Sequence, residues 1–328
     1  MRPFAYERAE DASAAVEALR ERGKGARYLG GGTNLVDLMK LGVETPDALI
    51  DVSRLPLRAI EDTPDGGLRI GAAVRNSELA ADRRVRERYP LLALALLSGA
   101  SGQLRNLATV GGNLLQRTRC SYFQDISKPC NKRAPGSGCP AIEGDHRNLA
   151  IIGHSDSCVA THPSDMAVAL VALDAEVEVQ GADGARTIPL RSLHRLPGDE
   201  PQRDTVLEPG DLITAVELPP LAFASTSTYR KVRDRAAFSF AVVSVAAAVD
   251  VADGVVRDCR LALGGVAHAP WRAERAEEAL RGQPATEDSF AAAAGAELEQ
   301  ARPLRDNAFK VPLARAVIVR TLTELCGA

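Results

Sequence analysis

Four of the six cysteines, Cys120, Cys130, Cys139 and Cys158, crowd into one stretch, with nine, eight and eighteen residues between neighbours. The run RCSYFQDISKPCNKRAPGSGCP, residues 119–140, surrounds three of them with Gly, Pro and positive charge. Thiols gathered in this way can form disulfides, bind zinc or hold an iron–sulfur cluster. Disulfides need an oxidising compartment, and the start MRPFAYERAEDASAAVEALRERG has acidic residues and no apolar signal core. Zinc usually takes cysteine pairs two to four residues apart, closer than any pair here. A four-cysteine iron–sulfur cluster tolerates wide spacing and favours nearby cations, because four thiolates leave it negative. Arg117, Arg119, Lys128, Lys132 and Arg133 would supply that charge, and Gly136 and Gly138 would turn N–H groups to the sulfurs. The same basic residues could equally form a solvated loop. Cys259, on an apolar strand, and Cys326, near the C-terminus, read as a core thiol and a tail residue.

Two glycine turns form the second constellation. YLGGGTNLVDL, residues 28–38, runs from a strand through Gly30, Gly31 and Gly32 into a helix starting near Thr33. Such a turn brings backbone N–H groups close to a ligand at the positive end of a helix, which suits a phosphate or pyrophosphate. A tight turn whose glycines only permit packing fits the same pattern. The dinucleotide fingerprint does not: Gly30-x-Gly32 and Asp51 match its ends, but Leu35 stands at the third glycine and no long crossover helix follows. The second turn, QLRNLATVGGNLLQ at 103–116, carries Gly111, Gly112 and Asn113 beside Thr109 and Ser101. Two backbone-donor turns in one domain can hold a diphosphate between them. Asp165 heads the helix of THPSDMAVAL, where capping alone would account for it. His146, His154, His162, His194 and His268 are scattered, and His162 reads as structural.

The elements that must position these residues alternate through the first two thirds. DASAAVEALRERG reads as a helix capped by Asp11 or Ser13, with Val16 and Leu19 on one face and Gly23 as its stop. ARYLG, DALIDVS, GLRIGA, EVEVQG and LITAVELP read as strands. RRVRERYPLLALALLSGAS reads as helix interrupted at Pro90, and PSDMAVALVALDA as a helix with Pro163 near its first turn. The composition shifts at PPLAFASTST, residues 219–228. Beyond it TYRKV, FAVVSVAAAVDV and CRLALGGVA read as strands, and three helical stretches follow Trp271. Strands followed by helices predict an α+β domain with an antiparallel sheet. The domains are thus 1–221, with the cysteine stretch inserted at about 117–160, and 222–328. Hydrophobic residues at 45% and charged residues at 25% suit globular cores. A net charge of −3 gives no reason to expect nucleic acid or an anionic membrane as partner. No run of 18 apolar residues suggests a membrane span.

LGGGTNL, LRNLATVGGNL and PSDMAVAL, in that order, resemble the FAD-binding medium subunits of the xanthine dehydrogenase and carbon monoxide dehydrogenase family. The tail YRKVRDRAAFSFAVVSVAAAV…LALGGVAHAPWRA extends the resemblance over nearly the whole chain. It implies an α+β fold: a two-part FAD domain of the vanillyl-alcohol oxidase-like type, then a C-terminal α+β domain. It also implies that Arg27, Tyr28, Leu29, Gly30, Gly31, Gly32, Thr33, Asn34 and Leu35 line the FAD pyrophosphate, with Thr109, Gly112 and Asn113 closing its other side. Asp165 would bond the cofactor near its ribityl or ribose part, Ile213 would pack on it, and Lys231 would approach the flavin ring edge. Most such subunits lack the cysteine insertion. QRTRCSYFQDISKPCNKRAPGSGCPAIEG is similar to the aldehyde oxidoreductase type, which carries one 4Fe–4S cluster, as 4-hydroxybenzoyl-CoA reductase flavoproteins do. On that resemblance Cys120, Cys130, Cys139 and Cys158 are its ligands.

The implied function is electron transfer within a molybdenum hydroxylase. A large molybdopterin subunit would oxidise an aldehyde, and a small subunit with two 2Fe–2S clusters would relay the electrons. This chain's FAD would then pass them to an external acceptor. The FAD subunit of a related hydroxylase or of a 4-hydroxybenzoyl-CoA reductase-like enzyme, a self-sufficient FAD oxidoreductase and a zinc-stabilised, non-redox assembly protein are the alternatives. The expected site of synthesis is the cytoplasm, with the periplasm open to a complex exported on a partner's signal.

Overall fold

The computed structural model describes residues 1–236 and 238–327; Ala237, within the tail pattern, and Ala328 lie outside the described residues. Strands β1 (Ala5–Arg8), β2 (Ala26–Leu29) and β3 (Ala48–Asp51) form a parallel sheet in the order β1-β3-β2. The central strand reads ALID and is buried throughout, as a parallel strand covered on both faces should be. Asp51 ends it by accepting bonds from Tyr6 Oη and the Ser53 N–H, so the acid of the rejected dinucleotide pattern closes a strand. Helix Ala12–Arg22 packs on this sheet through Ala15, Val16 and Leu19. Asp11 accepts the Ala14 N–H at its start, and Gly23 takes φ 69° at its end.

The second sheet is antiparallel: β4 (Ile60–Asp62), β5 (Leu68–Gly71), β6 (Glu176–Gly181), β7 (Gly184–Pro189) and β8 (Leu212–Leu218), in the order β4-β5-β8-β6-β7. The expected helix around Pro90 is two helices, Arg83–Arg88 and Pro90–Ser98. Proline opens the second at its first position, where the missing N–H has no intrahelical partner to lose. Pro163 stands outside its helix, which starts at Asp165 with the Ser164 hydroxyl accepting the Ala167 N–H. All eight residues of Asp165–Ala172 are buried.

The C-terminal sheet, β9 (Ser227–Val232), β10 (Val243–Ala252), β11 (Val255–Gly264) and β12 (Trp271–Arg272), is antiparallel in the order β12-β11-β10-β9. Its alternation serves two cores. Ala246, Ala248 and Ala262 face the helix Asp165–Ala172 and the first domain, and their small side chains admit a close approach. Val245, Ala247, Val249, Leu261 and Leu263 face three helices, Glu274–Leu280, Glu287–Leu298 and Lys310–Cys326. The observed architecture is the expected α+β arrangement. Among the described residues no helix is long and apolar enough to cross a membrane.

The residues leading into the last helix also grip the cysteine insertion. Asn307, fully buried, holds its amide within reach of the carbonyls of His146, Leu149 and Ala150 at 3.2–3.4 Å. Lys310, equally buried, donates to the carbonyls of Asn148 (3.3 Å), Leu149 (2.9 Å) and Gly265 (2.5 Å). Burial, with Arg147 nearby, pushes its ammonium pKa down to about 7. His146 Nδ1 donates to the Ala141 carbonyl at 3.0 Å while Nε2 accepts the Asp306 N–H at 2.9 Å. Asn307→Ala would strand several buried carbonyls, so it should destabilise the protein by about 2–3 kcal/mol. Thermal unfolding of the variant checks this, with a clear drop in Tm expected.

Candidate functional site

A cleft of about 970 Å³ opens between the parallel sheet and the second sheet. Arg27, Tyr28, Gly30, Gly31, Gly32, Thr33, Asn34, Leu35, Thr109, Gly112 and Ile213 all line it. The helix after the first turn is shorter than expected, Leu35–Lys40. The second turn is itself a helical turn, Val110–Leu114, in which the Thr109 hydroxyl accepts the Gly112 N–H at 3.3 Å. The two glycine turns pack directly on each other. A Cβ on Gly31 would lie 1.9 Å from the Leu107 carbonyl oxygen, so no other residue fits without moving backbone. Gly32 takes φ 73°, where a side chain would be strained. Packing therefore accounts for Gly31 and backbone conformation for Gly32.

Four further expected residues stand elsewhere. Leu29 does not line the cleft. The Asn113 carboxamide oxygen accepts from the Ser164 hydroxyl (2.5 Å) and the Gln116 amide (3.0 Å), which ties the second turn to the helix Asp165–Ala172. Asp165 accepts from Tyr229 Oη (2.6 Å) and from Lys231 Nζ (2.8 Å), and Lys231 also donates to the Ser98 carbonyl (3.1 Å). Asp165 lines a second cavity, of about 310 Å³, with His162, Arg119, Phe240 and Val242. Arg119 stacks over the Phe240 ring at 5.1 Å and leaves its buried Nε without a partner; burial lowers its pKa although Asp37 opposes this.

The four clustered cysteines are free thiols lining one small cavity with Phe123, Lys132 and Ala141. Cys120 and Cys158 are buried, and Cys130 and Cys139 are half-buried. Burial pushes the thiols of Cys120, Cys139 and Cys158 up, the last to about 12, and each also feels charge on another of the four. Backbone amides favour the thiolates: Tyr122 and Phe123 act on Cys120, Val159, Ala141 and Ile142 on Cys139, and Ala160 on Cys158. The expected glycines do not act this way. The Gly138 N–H goes to the Asn131 carboxamide oxygen at 2.7 Å, and Gly136 (φ 85°) and Gly138 (φ 101°) shape the loop. Of the expected cations, Lys132 opposes the rise at Cys158, while Arg133 stitches the loop through the carbonyls of Tyr122, Asp125 and Lys128. Among the described residues no three His, Cys, Asp or Glu side chains converge as ligands of a single ion would. A zinc ion, with Zn–S near about 2.3 Å, would need such convergence. The four thiols instead line one cavity, with backbone amides on the sulfurs of Cys120, Cys139 and Cys158.

A charge network that sequence reading did not find joins the two sites. Arg117 donates its N–H to the Asn34 carboxamide oxygen (2.9 Å) and its guanidinium to Glu44 (2.7 Å) and Asp204 (2.8 Å). Asp204 also accepts from the buried Lys132 of the cysteine loop. Burial works to raise the Asp204 pKa, but Arg117 and Lys132 prevail and hold it well below the usual carboxylate range. Asn34 Nδ2 is buried without a partner on the cleft wall, a donor free for an acceptor-rich ligand such as a pyrophosphate. The depth of the cleft, the paired glycine turns and this free donor fit a dinucleotide.

Comparison with known proteins agrees with this geometry. Residues 2–221 match the family model described as the FAD binding domain in molybdopterin dehydrogenase. Residues 227–325 match the carbon monoxide dehydrogenase flavoprotein C-terminal domain. The chain is 53% identical to the aldehyde oxidoreductase FAD-binding subunit PaoB of Escherichia coli, over 99% of this chain and 98% of that one. It is 28% identical to the glyceraldehyde dehydrogenase medium chain of Sulfolobus acidocaldarius, over 87% of this chain and 83% of the relative. A solved carbon monoxide dehydrogenase structure from Hydrogenophaga pseudoflava superposes with a TM-score of 0.77 at 26% identity, covering 99% of this chain and 98% of the other.

Gly31→Ala is expected to weaken flavin retention by roughly tenfold or more, about 1.4 kcal/mol, since the turn must shift off Leu107. Gly102→Ala, where an added Cβ meets nothing within 4 Å, should retain flavin like the wild type. Flavin absorbance per chain after desalting reads both.

Proposed function

This chain belongs to the FAD-binding medium subunits of the molybdopterin dehydrogenases, the xanthine dehydrogenase and carbon monoxide dehydrogenase family, and from that premise we propose that it is the FAD- and 4Fe–4S-carrying electron-transfer subunit of a molybdenum-dependent aldehyde oxidoreductase. Its partners are a large molybdopterin subunit, where the aldehyde is oxidised, and a small subunit whose two 2Fe–2S clusters deliver the electrons. An external acceptor takes them up. The complex works in the cytoplasm, or in the periplasm where a partner carries the export signal. The substrate class rests on the 53% identity to an aldehyde oxidoreductase subunit along the full chain.

One observation carries the iron–sulfur part: four free cysteines, from segments 120–139 and 158, line a single cavity, and backbone amides reach the sulfurs of Cys120, Cys139 and Cys158. When bound, FAD supplies exchange between one-electron and two-electron carriers, and the cluster supplies a one-electron store. The chain's own residues prepare both places. The glycine turns and Asn34 cradle the pyrophosphate, and Ile213 gives it an apolar wall. Tyr229 and Lys231 fix the Asp165 carboxylate at the mouth of the second cavity, toward the ribityl end of the cofactor. Lys132 sets a positive charge beside Cys158, which lowers the cost of the thiolate form. The Arg117–Asp204–Lys132 network holds the cysteine loop and the cleft at a fixed separation.

The test is metal and cofactor analysis of the complex, co-expressed with its partners and purified under argon. About four iron atoms and four sulfides per copy of this chain are expected beyond those of the small subunit. Cys130→Ser or Cys158→Ser should remove that increment, whereas Cys259→Ser, in the C-terminal core, should leave it intact. Iron unchanged in the first two variants, or zinc in its place, would refute the assignment.

A further inference from the structure

Three histidines converge from separate segments. His162, His194 and His268 line a fourth cavity, of about 20 Å³, with Leu114, Thr118 and Asp204 among its walls. The rings of His162 and His194 meet edge to face, centroids 4.3 Å apart. A polar space of this size holds one water. Its walls are shared with each of the three cavities described above. Leu115, Asp204 and Thr205 also line the large cleft, Thr161 and His162 also line the cavity beside Asp165, and Thr118 also lines the cysteine cavity.

Hydrogen bonds fix where the protons sit. His194 Nε2 faces the Leu114 carbonyl at 2.9 Å; a carbonyl only accepts, so Nε2 carries the hydrogen and the buried Nδ1 keeps a lone pair with no partner. His268 is fixed likewise by Nδ1–H on the Arg195 carbonyl at 2.9 Å. His162 Nδ1 accepts the Ser164 N–H at 3.4 Å, which leaves its proton on Nε2, also buried and unpartnered. The pair thus offers one free acceptor and one free donor in a closed space. The charged group lining it is Asp204, already shared between Arg117 and Lys132, and the Lys132 charge also acts on His268. Burial keeps all three rings below the usual histidine range, His268 at about 4, so they are neutral at rest.

We propose that His194, paired with His162, is the proton acceptor that balances reduction of the bound FAD, an inference that rests on the large cleft being the FAD site. Two electrons from a partner's iron–sulfur clusters and one proton reduce FAD and leave it with one added negative charge. A second proton, drawn from solvent, binds the Nδ1 lone pair of His194. The new negative charge on the cofactor offsets the burial that otherwise keeps the ring neutral. When the acceptor withdraws both electrons, both protons return to solvent.

His194→Gln can keep the donor to Leu114 while losing the titratable lone pair. In the holo-complex, with FAD and iron content equal to wild type, proton uptake on anaerobic reduction at pH 7 is followed with an indicator dye. Uptake in the variant should fall by roughly one proton per FAD, and the flavin potential should depend less steeply on pH. Uptake and slope equal to wild type would overturn the proposal. Should the variant lose FAD, wild-type complex carrying ¹⁵N-histidine decides by reduced-minus-oxidised infrared spectra. An imidazolium band appearing on reduction supports the role, and its absence refutes it. Wild-type complex without FAD would sink the reading of the cleft instead, so the two failures are distinct.

Discussion

Asp204 is the point on which the arrangement turns. A partly buried carboxylate must be matched by cations, and its two partners come from different segments: Arg117 follows the second glycine turn, and Lys132 lies in the cysteine loop. Arg117 also reaches Glu44 and, through its backbone, Asn34 in the first turn. One set of charges therefore sets the distance from the dinucleotide cleft to the thiols. Removing any member would leave the others charged and poorly solvated, which costs more than an exposed ion pair is worth. The histidine cavity shares the same carboxylate.

Around this centre the C-terminal sheet acts as a wall shared by two cores. Its alanine face lets the helix Asp165–Ala172 lie close, and its valine and leucine face carries three helices. Asp165 stands where that helix begins, and Tyr229 and Lys231 reach it from β9. The carboxylate at the head of the second cavity is therefore aimed by the C-terminal domain, although it belongs to the first. Neither domain makes this end of the site alone.

Much of this was legible in the sequence, for physical reasons. The helix Ala12–Arg22 announced itself through the Asp11 cap, the Val16 and Leu19 stripe and the Gly23 stop. Strands β9, β10 and β11 were visible in their β-branched and alanine-rich runs, whereas β12, two residues long, carries no period to read. Strands β1, β4 and β7 are short and largely exposed, so no apolar pattern marked them. The glycine turns showed as motifs, but not their contact with each other, because Gly31 meets Leu107 only in the folded chain. Asp204 lies in a charged loop like many others, and 87 residues separate it from Arg117, so no local pattern could have paired them. The histidines looked scattered because their neighbourhood exists only in three dimensions.

The grip of Asn307 and Lys310 on residues 146–150 sets the order in which the protein can mature. A ribosome releases the thiol loop long before the helix that clasps it. Until Asn307 and Lys310 have been made, the carbonyls of His146, Asn148, Leu149 and Ala150 have only water to bond. The loop that carries the cysteines thus takes its finished form only once residues far downstream in the chain have been made and have folded onto it.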